Sequence, residues 1–412
     1  MPADFPALAI NGGPAAVPAD DPAPEWPTYD DAEEKGLLDV LTSRNWGSTH
    51  GDVVATFERE FADYQQAAHG TCLTNGTLAI SAALRAAGVG VGDEVIVPPY
   101  TFIATASAAL FMGAVPVFAD VDPLTHLLDP DATEAAVTER TKAVVPVHLA
   151  GRPAAMDAFV ALGARHGLTI VEDAAQAIGA AYQGRPVGAI GDLGTFSFQT
   201  SKNMTAGEGG VVLTDDETLA AAVYSTVNVG RVRGGGWYQH DSVGLNLRLT
   251  EFQGAVLRAQ LARFPALQEI RERNATLLTT LLGDVDGLLL APEDPAVTAH
   301  GRHLFLMRIP ALAAPGRRDA ALRALAAEGL AEVSSGYVPL HRNGALIAES
   351  KDIAGRLSQP YPVADCPNAD LVSQDTIWLN QRTLLGSEQR TRAVAAAIAK
   401  VVAAADDLVG DE

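Results

Sequence analysis

The chain has 412 residues, 48% apolar and 19% charged, enough for a large and a smaller packed unit and without the charged tail that keeps a segment unfolded. A formal charge of −21 and the lack of any run of Lys and Arg argue against nucleic acid as a partner, but leave room for a local anion pocket. Two cysteines, Cys72 and Cys366, are too few for a disulfide framework and lack zinc-site spacing; with no leader-like start and no apolar stretch of membrane-spanning length, a cytoplasmic protein with no metal and no membrane partner is expected.

Residues 1–30, rich in Pro, Ala and Asp, read as an arm lying on a surface or reaching toward a second subunit. From Asp30 to Tyr64, apolar residues recurring at three and four positions predict two amphipathic helices. Alternating units follow: helix 77–87, strand 94–98, helix 102–112, strand 115–120, helix 131–138, strand 142–148, helix 154–166 and strand 168–172, then the strand-like TFSF and GGVVLTD. Continuously apolar strands alternating with helices predict an α/β fold with a mostly parallel sheet covered on both sides, its ligand site at the carboxyl ends of the strands. Beyond about residue 260 a long helix, the strand-like HLFLMRI and two further helices suggest a smaller α/β unit, which gives an expected division into 1–30, 31–262 and 263–412.

Three stretches carry chemistry. GTFSFQTSKNMTAGEGG places Lys202 between two strands among Ser197, Thr200, Ser201 and Thr205. Such small hydroxyls suit a phosphorylated aldehyde, and a confined lysine is an amine nucleophile and then a proton carrier; the plainer reading is an exposed loop lysine. LTIVEDAAQAIGA ends a buried strand on Glu172 and Asp173, and Asp173 there either pairs with a pyridinium nitrogen or caps the following helix. LTNGTLAISAAL puts Asn75, Gly76 and Thr77 at a helix start, which is an anion site or an ordinary cap. No Walker, zinc or serine-triad motif occurs.

Together NGTLAISAAL, GDEVIVPPYTFIATASA, VPVFADVD, VEDAAQAIGA, GTFSFQTSKNMTAGEGG and NLRLTEFQGAVLRAQL resemble, in this order, the DegT/StrS family of sugar and cyclitol aminotransferases. The resemblance implies pyridoxal 5'-phosphate (PLP) and its fold type I, a large domain followed by a smaller C-terminal one. It implies that Lys202 is the Schiff-base lysine, Asp173 the partner of the pyridine nitrogen, and Ser197, Gly76 and Thr77, beside Asn75, the phosphate binders. Gln176 takes the place of a His or Gln near the ring oxygen, Phe102 that of an aromatic ring on the pyridine face (or else a core Phe), and Asn246 that of an Asn reaching the neighbouring subunit's phosphate. A homodimer with composite sites follows, using L-glutamine or L-glutamate as amino donor and a keto-cyclitol or keto-sugar as acceptor in antibiotic-type biosynthesis.

The opening WPTYDD and the Lys202 segment resemble the branch that contains scyllo-inosose aminotransferases and 3-amino-5-hydroxybenzoate synthases. Ile178 and the Asn380–Gln381 pair depart from histidines common there. Two alternatives accompany the aminotransferase reading: a dehydrating aromatisation that consumes no donor, and a non-catalytic PLP-binding regulator or scaffold. Arg231, Arg233 and Arg248 are all candidates for reading the donor carboxylate, and His341 and Tyr337 for touching substrate.

Overall fold

The computed structural model describes residues 7–408. Helices α1 (Asp31–Ser43) and α2 (Val53–Tyr64) precede an alternating run: β1 (His69–Leu73), α3 (Gly76–Ala86), β2 (Glu94–Val97), α4 (Ala104–Leu110), β3 (Val115–Phe118), α5 (Pro130–Ala135), β4 (Thr141–Val144), α6 (Met156–His166) and β5 (Thr169–Asp173). After the short hairpin β6 (Ala181–Tyr182) and β7 (Arg185–Pro186) come β8 (Leu193–Ser197), β9 (Gly210–Thr214), α7 (Glu217–Val227) and α8 (Glu251–Leu282). The chain ends with β10 (Val297–Ala299), β11 (Leu304–Arg308), α9 (Arg317–Ala327), α10 (Gly344–Arg356), α11 (Pro367–Asp375), β12 (Thr376–Asn380) and α12 (Glu388–Ala403). No helix among the described residues is long and apolar enough to cross a membrane.

One sheet of seven strands, in the order β1-β9-β8-β5-β4-β2-β3, organises the larger part; β8, β5, β4, β2 and β3 are parallel, and β9 is antiparallel to both neighbours. Each strand carries apolar side chains on both faces because each feeds two cores. Val95 and Val97 of β2 join the cluster under α3 and α4, whereas Ile96 points to the opposite one, with Phe57, Phe61 and Phe159.

Caps start the helices where polar residues allow it. Asn75 Oδ1 accepts from Leu78 N at 2.9 Å, Asp129 caps α5 with Pro130 at its first position, and Thr250 and Gln253 form a capping box on α8. The expected helix 102–112 begins only at Ala104, so Phe102 precedes it.

Helix α8 runs unbroken past residue 262, with Pro265 inside it. Its first half buries Leu257 and Phe264 in the core shared with α2, and its second half buries Ala275, Leu278 and Leu282 in the core of the C-terminal part. There β11 and β12 pair antiparallel.

Residues 1–6 of the arm lie outside the described residues; residues 9–16 lie along the C-terminal part of the same chain. Glu328, buried with Lys400 at 2.7 Å, accepts from the backbone N–H of Ala9 (2.7 Å) and Ala16 (2.9 Å), and Lys400 Nζ donates to the Pro14 carbonyl at 2.8 Å.

Neighbouring acids on β5 have opposite roles, because successive side chains leave a strand on opposite sides. Glu172 is buried completely; Oε2 accepts from His148 Nε2 (2.8 Å) and Gly188 N, Oε1 from Ile190 N and Gly191 N, all three amides at 2.7 Å. Burial pushes its carboxyl up, but His148 and the amides outweigh that and hold it below the usual range. Ala154 N donates to His148 Nδ1 at 3.0 Å, which puts the imidazole proton on Nε2, facing the carboxylate. Glu172→Ala strands these donors and is expected to cost about 3–5 kcal/mol, read as a lower urea midpoint.

Candidate active site

Asp173 ends β5 facing the mouth of the sheet. Its Oδ2 accepts from Thr105 Oγ1 at 2.8 Å and its Oδ1 from Ala175 N at 3.2 Å, and it is buried. The second bond is the local capping contact open to any Asp here; the first comes from the start of α4 and holds the carboxylate toward the site. Thr101 in turn lies 3.2 Å from Thr105, extending the chain of hydroxyls.

Lys202 sits in the turn after β8, its N–H donating to the Gln199 carbonyl at 2.9 Å. Burial pulls its ammonium from the ordinary 10.5 down to about 8, against the opposing pull of the Asp173 carboxylate. The structure therefore brings together the lysine and the acid singled out in the sequence. Because only the neutral amine attacks an aldehyde, the rate of covalent attachment of PLP to cofactor-free protein is expected to rise with pH through about 8 and then level off. Stopped-flow absorbance on both sides of that pH checks this, and a midpoint near the ordinary lysine value would contradict it.

A candidate anion cradle is built from α3 and β8. The N–H groups of Gly76 and Thr77 lie in the first turn of α3, where no helical carbonyl serves them. Ser197, the last residue of β8, closes the cradle: a Cβ on Gly76 would stand 2.7 Å from Ser197 Cβ, so only glycine lets strand and helix approach this closely. Two free amides and two hydroxyls with the helix dipole behind them suit a phosphate dianion, and an amine beside a buried carboxylate suits an aldehyde on a basic ring. The residues present fit PLP.

Gln176 is fixed at both ends, accepting from Ala150 N at 2.7 Å and donating through Nε2 to the Tyr337 hydroxyl at 3.1 Å. Ala150 adopts a left-handed φ of 61° to present that N–H. Phe102 is 56% exposed, outside both cores. Asn246 is also exposed, on a segment bridged to Asn228 and running beside Thr74, whose N–H donates to the Leu247 carbonyl.

The three candidate arginines line one cavity of about 510 Å³ beyond β1. Arg248 donates to Asn228 Oδ1 at 2.8 Å, Arg233 lies over Tyr224 and Arg231 over Trp237. His341 faces Asp370 at 3.4 Å. Of the two departures, Ile178 is a buried core residue and Gln381 is the partner of a buried arginine, Arg271. Thr105, Asn203 and His303 were not singled out by the sequence. His303 is held neutral by burial and by the nearby charges of Lys202 and Arg271.

The profile of the DegT/DnrJ/EryC1/StrS aminotransferase family matches residues 28–398. The chain belongs to this family. It is a PLP-dependent aminotransferase of the type I fold. It is 43% identical over 389 residues to the 3-amino-5-hydroxybenzoate synthase of Amycolatopsis mediterranei (strain S699), covering 93% of this chain and 98% of that one. It is 39% identical over 422 residues to an L-glutamine:2-deoxy-scyllo-inosose aminotransferase of Streptomyces lividus, covering 97% and 99%. A crystal structure of 3-amino-5-hydroxybenzoic acid synthase superposes with a TM-score of 0.86 at 41% identity, over 93% of this chain and 99% of that one.

Proposed function

We propose that the chain moves the amino group of L-glutamine or L-glutamate to the ketone of a cyclitol or sugar in the biosynthesis of an antibiotic-like product. The observation that carries this reading is the convergence of Lys202, Asp173 and the Gly76–Thr77–Ser197 cradle in one site of a chain that aligns almost end to end with a glutamine-dependent cyclitol aminotransferase. When bound, the cofactor supplies an aldehyde and an electron-withdrawing ring. Gly76, Thr77 and Ser197 would hold its phosphate. Asp173 would hold a proton at its ring nitrogen, with Thr105 and Ala175 keeping the carboxylate in place. Lys202 Nζ, about half neutral near pH 8, would accept the proton from the donor's α-carbon and return it. Gln176 and Tyr337 would orient the ring oxygen side of the site.

A homodimer fits the surface. Phe111, Trp237, Tyr238, Val243 and Leu245 are all exposed, and the last four lie on the loop that leads into Asn246, where a second copy would cover them and receive that side chain. A cytosolic location fits the two free, buried thiols of Cys72 and Cys366.

The 43% identity to 3-amino-5-hydroxybenzoate synthase supports a second reading, a dehydrating aromatisation of an amino-dehydroshikimate-like ring with Lys202 removing a ring proton. An absorbance spectrum of the PLP-loaded protein, before and after L-glutamine or L-glutamate without acceptor, separates the two. Conversion of the yellow band to that of pyridoxamine phosphate establishes the amino-transfer half-reaction; a band that persists with both donors favours the aromatising lyase.

A further inference from the structure

Arg271 has no exposed surface, yet among the described residues no carboxylate pairs with it. Its Nε and Nη2 both donate to Gln381 Oε1, at 3.0 and 2.7 Å, Nη2 also reaches the Asn203 carbonyl at 3.3 Å, and Nη1 is buried with no acceptor. Burial drags the guanidinium down to about 9. A cation kept without a counter-charge is costly, and a hydrophobic side chain of similar volume would relieve that cost. Besides its bonds to Gln381, the arginine reaches the backbone next to Lys202.

Lys202 is gripped on both flanks. On one side the indole Nε1 of Trp26, from the arm, donates to the Thr200 carbonyl at 2.7 Å. On the other, Arg271 holds the Asn203 carbonyl while the Asn203 side chain donates to the Gly301 carbonyl at 2.7 Å and accepts from His303 Nδ1 at 2.9 Å. With its NH2 committed to a carbonyl, the Asn203 amide must turn its oxygen to the imidazole, which fixes His303 as the Nδ1–H tautomer. The two grips are joined, since the Trp26 ring lies 5.5 Å from the Arg271 guanidinium.

We propose that Trp26 and Arg271 act as one positioning unit for Lys202, so that the N-terminal arm is a working part of the active site. This rests on the reading of Lys202 as the residue that carries the cofactor. Trp26→Phe keeps a ring over Arg271 but loses the N–H; Arg271→Lys keeps a cation but loses the fork to Gln381 and Asn203.

The full-length protein and both variants are mixed with PLP, quenched with borohydride at set times and analysed for modified Lys202 by peptide mass spectrometry. kcat and the KM for L-glutamine are then measured per loaded site, with the melting midpoint alongside. Each variant is expected to attach PLP roughly ten-fold more slowly and to lose roughly ten-fold in kcat, with KM within about two-fold, because displacing a reacting group by a fraction of an ångström acts on the chemical step. The double variant is expected to match the worse single one, since the two residues act as a unit. Wild-type attachment rates and kcat per loaded site in both variants, with only the melting midpoint lowered, would overturn the proposal, as would strictly additive losses. Failure of the wild-type protein itself to attach PLP at Lys202 would instead remove the reading beneath it.

Discussion

Lys202→Ala is expected to lose covalently held PLP and to lower turnover by about 10⁴-fold or more, because one atom, Nζ, serves both as nucleophile and as proton carrier. Nothing nearby replaces it. Asp173 is committed to Thr105 and Ala175, and His303, whose Nδ1–H is on Asn203, is a poor proton acceptor because burial above all, and the charge of Arg271, disfavour its protonated form. Lys202→Arg is expected to be equally inactive, since a guanidinium keeps the charge but is no nucleophile at neutral pH. The fold is expected to survive the alanine change, because burial already disfavours the ammonium and its removal relieves that cost. Absorbance of bound cofactor, glutamine consumption and a melting curve on the same preparation check all three parts. Appreciable turnover in the alanine variant, or restoration by arginine, would contradict the assignment.

The sequence made legible those features that depend on short-range pattern. The alternation of strands and helices from β1 to β5, the helix start at Asn75–Gly76–Thr77 and the loop position of Lys202 were read from periodicity, caps and glycines, and the structure contains each of them. Of the paired acids, Asp173 faces the site and Glu172 anchors the loop around Gly188, a split that strand alternation explains once the register is known.

Partners distant in the chain stayed hidden. Asp173 and Thr105 lie 68 residues apart, Asn203 and His303 lie 100 apart, and Arg271 and Gln381 lie 110 apart, so no local spacing announces them. The arm was legible as a segment lying on a surface or reaching toward a second subunit; the course of its described part is set by Glu328, at the C-terminal cap of α9, and Lys400 of α12, both far along the chain. The departure at Gln381 likewise acquires its meaning only beside Arg271.

Asp173→Asn is expected to lower turnover by roughly 10²- to 10³-fold while leaving the structure nearly as stable, and the reason lies in its two hydrogen bonds. An asparagine is isosteric, and its oxygen can keep the Ala175 N–H; its NH2 then meets Thr105, whose hydroxyl can turn to accept that bond and donate to Thr101 at 3.2 Å. What disappears is the negative charge, and with it the means of keeping a ring nitrogen protonated. The same charge raises the pKa of Lys202, so its loss pushes the amine below about 8. The variant is therefore expected to attach PLP more readily than the wild type at neutral pH, with its attachment profile displaced to lower pH, while turning over far more slowly. A residue that merely braced the end of β5 would slow both reactions and leave the pH profile where it was; attachment rates against pH, set beside turnover per loaded site, tell these apart.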